Sequence, residues 1–284
     1  MKKIIIVGSN SYIAKQLINR LKKEETFFTT VSSRSDKSDF KLDLEYIDQF
    51  DFNKINKNDL VIFLAAISSP DVCRKEFKKS FNINVIGTIK FIEESIRRNA
   101  NVLFFSSDTV YGTENGQNNE DVIPIKPMGE YASMKLSVEN YFRNEPNLKI
   151  FRLSYVFSWN DKFMKYLHIC RTNNTKVEVF HPFIRKMVYI NDVIDGIIKL
   201  TNNWNYYDQQ IFNFCGSKQY SRLDIVELYN KCIYPLNYEI SNPPDNFYKA
   251  RPELIHINSK NTEFLLGRKF TNIEKAIKIE KLNN

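Results

Sequence analysis

Glycine is scarce: this 284-residue chain carries only 8. A loop that cradles phosphates needs small residues so that the backbone can come close to a pyrophosphate, so the positions of these few glycines matter. Cys73, Cys170, Cys215 and Cys232 show neither C-x-x-C spacing nor paired histidines. They read as thiols of a reducing compartment, and no metal is expected. Long hydrophobic runs are missing too. After Met-Lys-Lys the first apolar stretch is only Ile4–Val7, too short for a signal peptide, and nothing later reaches membrane-spanning length. The expectation is a cytoplasmic, soluble protein with no membrane partner. Hydrophobic residues at 43% and charged residues at 26% exclude a disordered chain, a fibre and a disulfide scaffold.

Charge of one sign is in modest excess. Lys and Arg number 41 against 33 Asp and Glu, a net charge of +8. The basic residues are interleaved with acidic ones and form no arm-like run. A nucleic-acid partner is therefore not expected, whereas attraction of a small anionic substrate is.

The first half alternates buried-strand runs with helical periodicity. Strands are expected at Ile4–Val7, Phe27–Val31, Leu60–Ala65, Val102–Phe105 and Lys149–Leu153, with helices over 11–24, up to about Arg98, and over 131–143. Near-continuous apolar strands alternating with helices predict an α/β fold, a doubly wound parallel sheet of Rossmann type covered on both faces. Beyond about residue 155 the pattern loosens into helices at 162–172, 191–202, 221–232 and 271–281. The last two begin with the capping-box signatures Ser221…Asp224 and Thr271…Glu274. The expected division is a dinucleotide-binding domain over 1–155 plus about 186–215. A smaller α+β substrate-binding part would cover about 156–185 and 216–284.

The first strand runs into Gly8-Ser9-Asn10-Ser11-Tyr12-Ile13-Ala14 and then a helix. A tight strand-to-helix turn aims free helix N–H groups at a phosphate. Gly8, Ser11 and Ala14 occupy the three small positions of a Gly-x-x-Gly-x-x-Gly pattern, with two of the glycines replaced. The second strand ends in Val31-Ser32-Ser33-Arg34-Ser35, with no carboxylate to accept ribose hydroxyls. Ser33 and Arg34 can instead hold a 2′-phosphate, which favours NADP(H) over NAD(H); a solvated loop is the alternative.

Tyr131 and Lys135 lie four apart, on one face of a helix. A nearby cation lowers a phenol's pKa and suits it to exchange a proton with a carbonyl oxygen as hydride reaches carbon. With 15 tyrosines in a lysine-rich chain, a chance pair of a packed Tyr and a solvated Lys is the alternative. Context decides between them. The fourth strand ends in Ser106-Ser107-Asp108-Thr109-Val110-Tyr111-Gly112, at the position where parallel strands face a ligand crevice. Ser107 can hold the oxygen that Tyr131 protonates.

This ordered set resembles the extended short-chain dehydrogenase/reductase superfamily of nucleotide-sugar epimerases, dehydratases and reductases, over nearly the whole chain. Further segments carry the resemblance: Leu42-Asp43-Leu44, Leu64-Ala65-Ala66, Asn84-Val85-Ile86-Gly87-Thr88, the stretch from Arg185 to Val193, and Leu265-Leu266-Gly267. It implies Ser107, Tyr131 and Lys135 as catalytic residues. It also implies a cofactor held by Gly8, Asn10, Ser11, Tyr12, Ile13, Asp43, Leu44, Ala65, Ala66, Tyr131 and Lys135. Ser68, Asp108, Thr109, Arg185 and Arg251 would then meet the substrate, the two arginines at its nucleotide diphosphate; surface salt bridging is their alternative. Asp192 reads as a structural helix cap rather than a catalytic group.

The segment from Ala66 to Cys73 resembles the branch of 4-keto reductases, and Asp108-Thr109 lacks the Asp-Glu pair of 4,6-dehydratases. The expected activity is reduction of a 4-keto nucleotide-activated 6-deoxyhexose with NADPH, in surface polysaccharide sugar biosynthesis. An NAD-dependent nucleotide-sugar 4-epimerase is the second reading, and a catalytically silent NADP-sensing protein the third. The resemblance also implies a homodimer.

Overall fold

Runs such as Ile4–Val7 are apolar at every position because both faces of their sheet are covered. A computed structural model describes residues 3–32, 37–113, 118–244 and 247–283. In chain order the first half is β1 (Ile4–Val7), α1 (Tyr12–Lys23), β2 (Phe28–Ser32), β3 (Phe40–Lys41), β4 (Leu60–Phe63), α2 (Pro70–Lys75), α3 (Phe77–Phe81), α4 (Thr88–Arg97), β5 (Asn101–Ser107), α5 (Glu130–Tyr141) and β6 (Leu148–Leu153). The second half is β7 (Tyr155–Phe157), α6 (Lys162–Asn173), β8 (Val177–Phe180), β9 (Ile184–Tyr189), α7 (Ile190–Asn202), β10 (Ile211–Phe214), β11 (Gln219–Ser221), α8 (Arg222–Cys232), β12 (Tyr238–Ser241), α9 (Lys260–Leu266) and α10 (Ile273–Asn283).

Seven strands pair in the order β10-β6-β5-β4-β1-β2-β3, every pair parallel. The order reverses between β1 and β4, which opens a crevice at their carboxyl ends. Alternate residues feed two cores. Ile4, Ile6, Leu103 and Phe105 pack with Leu17 of α1 and Val193 and Ile197 of α7. Ile5, Val7, Val102 and Phe104 pack with Phe91 and Ile92 of α4 and Val138 of α5. The expected Rossmann-type architecture is present.

Beyond β6 the chain forms a three-stranded sheet, β11-β9-β7, and a two-stranded pair, β12-β8. Both share the main sheet's first core, the one through Phe157, Val188 and Tyr220 and the other through Val177 and Val179. β10 returns to the main sheet, and Arg185 lies on β9 in the smaller one. The Ser221–Asp224 capping box is formed. Thr271 does not cap α10: its hydroxyl and N–H both donate to buried Asp192, and the Asn272 carboxamide oxygen takes the Glu274 N–H instead. Asp192 does not cap α7, which has no side-chain cap; it also accepts from Arg268 and so anchors the chain entering α10.

No helix among the described residues is long and apolar enough to cross a membrane. No group of three or more metal-ligating side chains occurs among them.

Candidate active site

The β1–α1 turn is shaped by one glycine. Gly8 has φ +83°, and a Cβ there would stand 2.7 Å from the Ala65 backbone nitrogen. Only glycine fits where β1 and the end of β4 come so close. Ser11 caps α1, its hydroxyl accepting the Ala14 N–H at 3.2 Å. The N–H groups of Tyr12 and Ile13 remain without a protein acceptor among the described residues. Asn10 donates to the Ser32 hydroxyl at 3.1 Å and so ties this turn to the end of β2.

Two cavities meet at the turn. The first, about 350 Å³, is lined by Gly8, Asn10, Ser11, Tyr12, Ser32, Asp43, Leu44, Ala65, Ala66 and Ser68, together with Val31 and Leu42. The second, about 330 Å³, is lined by Ser11, Tyr12, Ile13, Ala66, Ser68, Ser106, Ser107, Tyr131, Lys135 and Ser154. Ser11, Tyr12, Ala66 and Ser68 belong to both, so the walls run from the Gly8–Ile13 turn to the Tyr131 phenol. Each volume falls in the usual range for a small-molecule site. Ser33 and Arg34 lie outside the described residues.

Tyr131 and Lys135 stand in the first two turns of α5, with the Lys135 Nζ 5.9 Å from the Tyr131 ring centre and 4.5 Å from that of Phe104. The expected electrostatics are reversed here. Burial raises the Tyr131 phenol rather than the ammonium lowering it, with Cys73 and Asp108 acting in the same direction. Burial also pushes Lys135 down to about 8, against the opposing pull of Glu139 and Cys73. The loss of hydration outweighs the attraction at this separation. Lys135 is 4% exposed and makes no hydrogen bond or ion pair among the described residues. The Ser106 hydroxyl is likewise buried and unpartnered.

These orphaned groups fit a polar ligand. A dinucleotide would lay its phosphates on the Gly8–Ile13 turn and a ribose against Lys135.

Four expected substrate contacts do not line the cavities. Asp108 is 4% exposed and accepts from the Ser154 hydroxyl at 2.6 Å, so it supports the site from behind. Burial raises its carboxyl, opposed by the Arg185 charge and the Ser154 and Ser107 hydroxyls. Thr109 donates its hydroxyl and N–H to the Ser107 oxygen, at 2.9 and 3.3 Å, and so orients Ser107. Arg185 is engaged by the carbonyls of Ile184, Pro252 and Glu253. Arg251 is paired with Asp71.

The profile of the RmlD substrate binding domain family matches residues 1–234. The chain belongs to this family. The resemblance to the extended short-chain dehydrogenase/reductases is thereby borne out. Among curated relatives, the spore coat polysaccharide biosynthesis protein SpsK of Bacillus subtilis (strain 168) is 28% identical over 144 residues, which is 50% of this chain and 51% of that protein. The match thus spans about half of that relative. The dTDP-4-dehydrorhamnose reductase of Aggregatibacter actinomycetemcomitans is 24% identical over 205 residues, 70% of this chain and 67% of its own.

Among solved structures, a Bacillus anthracis str. Ames dTDP-4-dehydrorhamnose reductase in complex with NADP superposes with TM-score 0.84 at 20% identity, covering 100% of this chain and 99% of that one. A Bacillus cereus UDP-glucuronic acid 4-epimerase with UDP-glucuronic acid and NAD gives 0.78 at 20% identity, covering 99% of each. At such identity the likeness is one of fold.

In this RmlD-family chain the cavity adds residues that the sequence reading passed over. Ser106 and Ser154 line the second cavity, and Phe104 lies under Lys135. The signal for Ser154 was present: a serine directly after β6, at the carboxyl end of a central parallel strand.

Proposed function

We propose that the protein reduces a 4-keto nucleotide-activated 6-deoxyhexose at the expense of NADPH or NADH, in the making of a surface polysaccharide. The observation that carries this reading is the meeting of Ser107, Tyr131 and Lys135 on one cavity that continues into the Gly8–Ile13 turn. A nicotinamide cofactor, when bound, would supply the hydride. The residues of the chain do the rest. The Ser107 hydroxyl, oriented by Thr109, holds the keto oxygen. Tyr131, kept protonated by burial, gives its phenolic proton to that oxygen. The Lys135 ammonium then faces a phenolate, the anion its own burial had lacked. The two curated relatives, one a dTDP-4-dehydrorhamnose reductase and one a spore coat polysaccharide protein, support the substrate class.

The test is oxidation of NADPH or NADH by purified protein in the presence of a 4-keto-6-deoxy nucleotide sugar. Reduction to the 4-hydroxy sugar is expected. A second reading, 4-epimerisation, is favoured by the fold likeness to UDP-glucuronic acid 4-epimerase with NAD. Protein that purifies with stoichiometric NAD and interconverts 4-hydroxy sugars without added reductant would replace the first reading by the second.

A further inference from the structure

The Ser154 hydroxyl, on the wall of the second cavity, has one proton and two close acceptors. Its oxygen stands 2.6 Å from Asp108 Oδ2 and 2.7 Å from the Lys186 carbonyl oxygen. Both are distances of fully made O–H···O bonds, and a hydroxyl can donate only one of them. Two oxygens this close with no proton between them would repel. No other side chain or N–H among the described residues donates to the Ser154 oxygen. The second proton must come from Asp108, so the first bond runs from carboxyl to hydroxyl and the second from hydroxyl to carbonyl.

The surroundings of Asp108 suit a neutral carboxyl. It is 4% exposed, and Arg185, the charge that faces it from β9, donates instead to the carbonyls of Ile184, Pro252 and Glu253. The Lys186 ammonium donates to Asn258 Oδ1 at 3.2 Å. Tyr131 of α5 and Cys215, directly after β10, also face Asp108 and bring no positive charge. A buried carboxylate without a hydrogen-bonded cation is strongly disfavoured. The Ser107 hydroxyl lies 3.3 Å from Asp108 Oδ1, longer than the roughly 2.5–2.7 Å a hydroxyl keeps to an ionised oxygen. Burial raises the Asp108 carboxyl above its ordinary value, against the pull of Arg185.

We propose that Asp108 works as a neutral carboxylic acid, a positioning residue that holds Ser154 and leaves the Ser107 proton free for the keto oxygen. No negative charge then stands behind Ser107 while charge gathers on that oxygen and on Tyr131. The positioning role rests on the reaction proposed above; the proton on Asp108 does not.

Infrared difference spectra and urea unfolding of the full-length protein test the proton without any turnover. Wild type minus Asp108→Asn at neutral pH should show the C=O stretch of a protonated carboxyl, shifted in D2O. In the unfolded chain Asp108 ionises near its ordinary value, so folding takes up a proton. The stability this group contributes is complete below that value and falls as pH rises above it. Between about pH 5 and 7 the unfolding constant of wild type should rise about tenfold per pH unit relative to Asp108→Asn. Absence of the band, or unfolding constants that run parallel, overturns the proposal. The role is read in kcat. Asp108→Ala should lower it roughly five- to tenfold, the worth of one hydrogen bond. Asp108→Asn, which offers the same donor and acceptor, should recover it. Asp108→Ala as fast as wild type overturns the positioning role. The band together with no turnover of a 4-keto-6-deoxy nucleotide sugar by wild type removes the reaction proposed above, while the neutral acid stands.

Discussion

Two buried cations on adjoining elements are treated in opposite ways. Arg152 of β6 is 2% exposed and spends its guanidinium on the Glu139 carboxylate and the Tyr111 hydroxyl, at 2.5 to 3.2 Å. Tyr111 in turn donates to the Asn119 carbonyl at 2.9 Å. Lys135 lies one turn before Glu139 on α5 and is equally buried, yet has an aromatic ring beneath it and no acceptor among the described residues. Buried charge is tolerated in a folded chain when it is fully partnered. The Arg152 network meets that condition and holds α5 to β6. Lys135 does not, and it stands on the wall of a cavity. Along a single helix the contrast sets a fully partnered ion pair against an unpartnered cation on a cavity wall.

The sharpest test of the ligand end is Tyr131→Phe. Removing the phenolic proton should lower turnover by on the order of 10²–10⁴-fold, the usual worth of a general acid. The thermal midpoint and cofactor binding should barely move. Steady-state oxidation of NADPH measures the first and a fluorescence titration the second. Activity within tenfold of wild type would remove Tyr131 as proton donor.

The architecture end is tested by a pair of variants. Arg152→Met leaves Glu139 buried and alone, and should cost about 3–5 kcal/mol of stability. Lys135→Met removes a desolvated charge that has no partner, and should leave stability equal or higher while activity is lost. Urea unfolding of the cofactor-free protein reads both. If Lys135→Met destabilises as much as Arg152→Met, the contrast between the two cations is false.

The same contrast has a pH signature. Lys135 titrates at about 8 in the folded protein against an ordinary 10.5. Below pH 8 both folded and unfolded chains carry its proton, and the folded state bears the whole desolvation cost. Between pH 8 and 10.5 the folded protein releases the proton first, so this group's contribution to stability improves as pH rises. Turnover should move the other way, falling as pH passes about 8 and the ammonium is lost. A pH–rate profile of kcat and a pH series of unfolding curves, compared with Lys135→Met, check both signs.

Much of this was legible along the chain because local pattern carries it. The unbroken apolar runs of β1, β4 and β5 declare a sheet covered on both faces. The four-residue spacing of Tyr131 and Lys135 declares a shared helix face. What depends on distance through space was not legible. Spacing said nothing of Phe104 beneath Lys135, nor of a burial strong enough to reverse the expected phenol shift. For Arg251 a diphosphate contact and a surface salt bridge stood side by side, and the partner Asp71 lies too far away in sequence for spacing to name it. Thr271 read as a cap because nothing local shows Asp192 reaching it. One clue was passed over: Arg152 is a charge inside an apolar strand, which by itself calls for a buried partner.

The smallest expected effect concerns the grip on the cofactor. Ser11 stands where a phosphate-binding turn usually has glycine, and its hydroxyl occupies the Ala14 N–H that a glycine would leave free. Ser11→Gly returns that donor to a phosphate and removes a Cβ at the junction of the two cavities. It should cost only a few tenths of a kcal/mol in helix capping. One recovered hydrogen bond should tighten dinucleotide binding by roughly two- to tenfold. Ser11→Ala also frees the N–H but keeps the Cβ, so it divides the two contributions: tightening in both variants credits the donor, and tightening in Ser11→Gly alone credits the space. Weaker binding in both would mean that the hydroxyl itself holds the phosphate. In that case Ser11, like Lys135, is a polar group kept for a ligand, and its hydrogen bond to Ala14 is incidental.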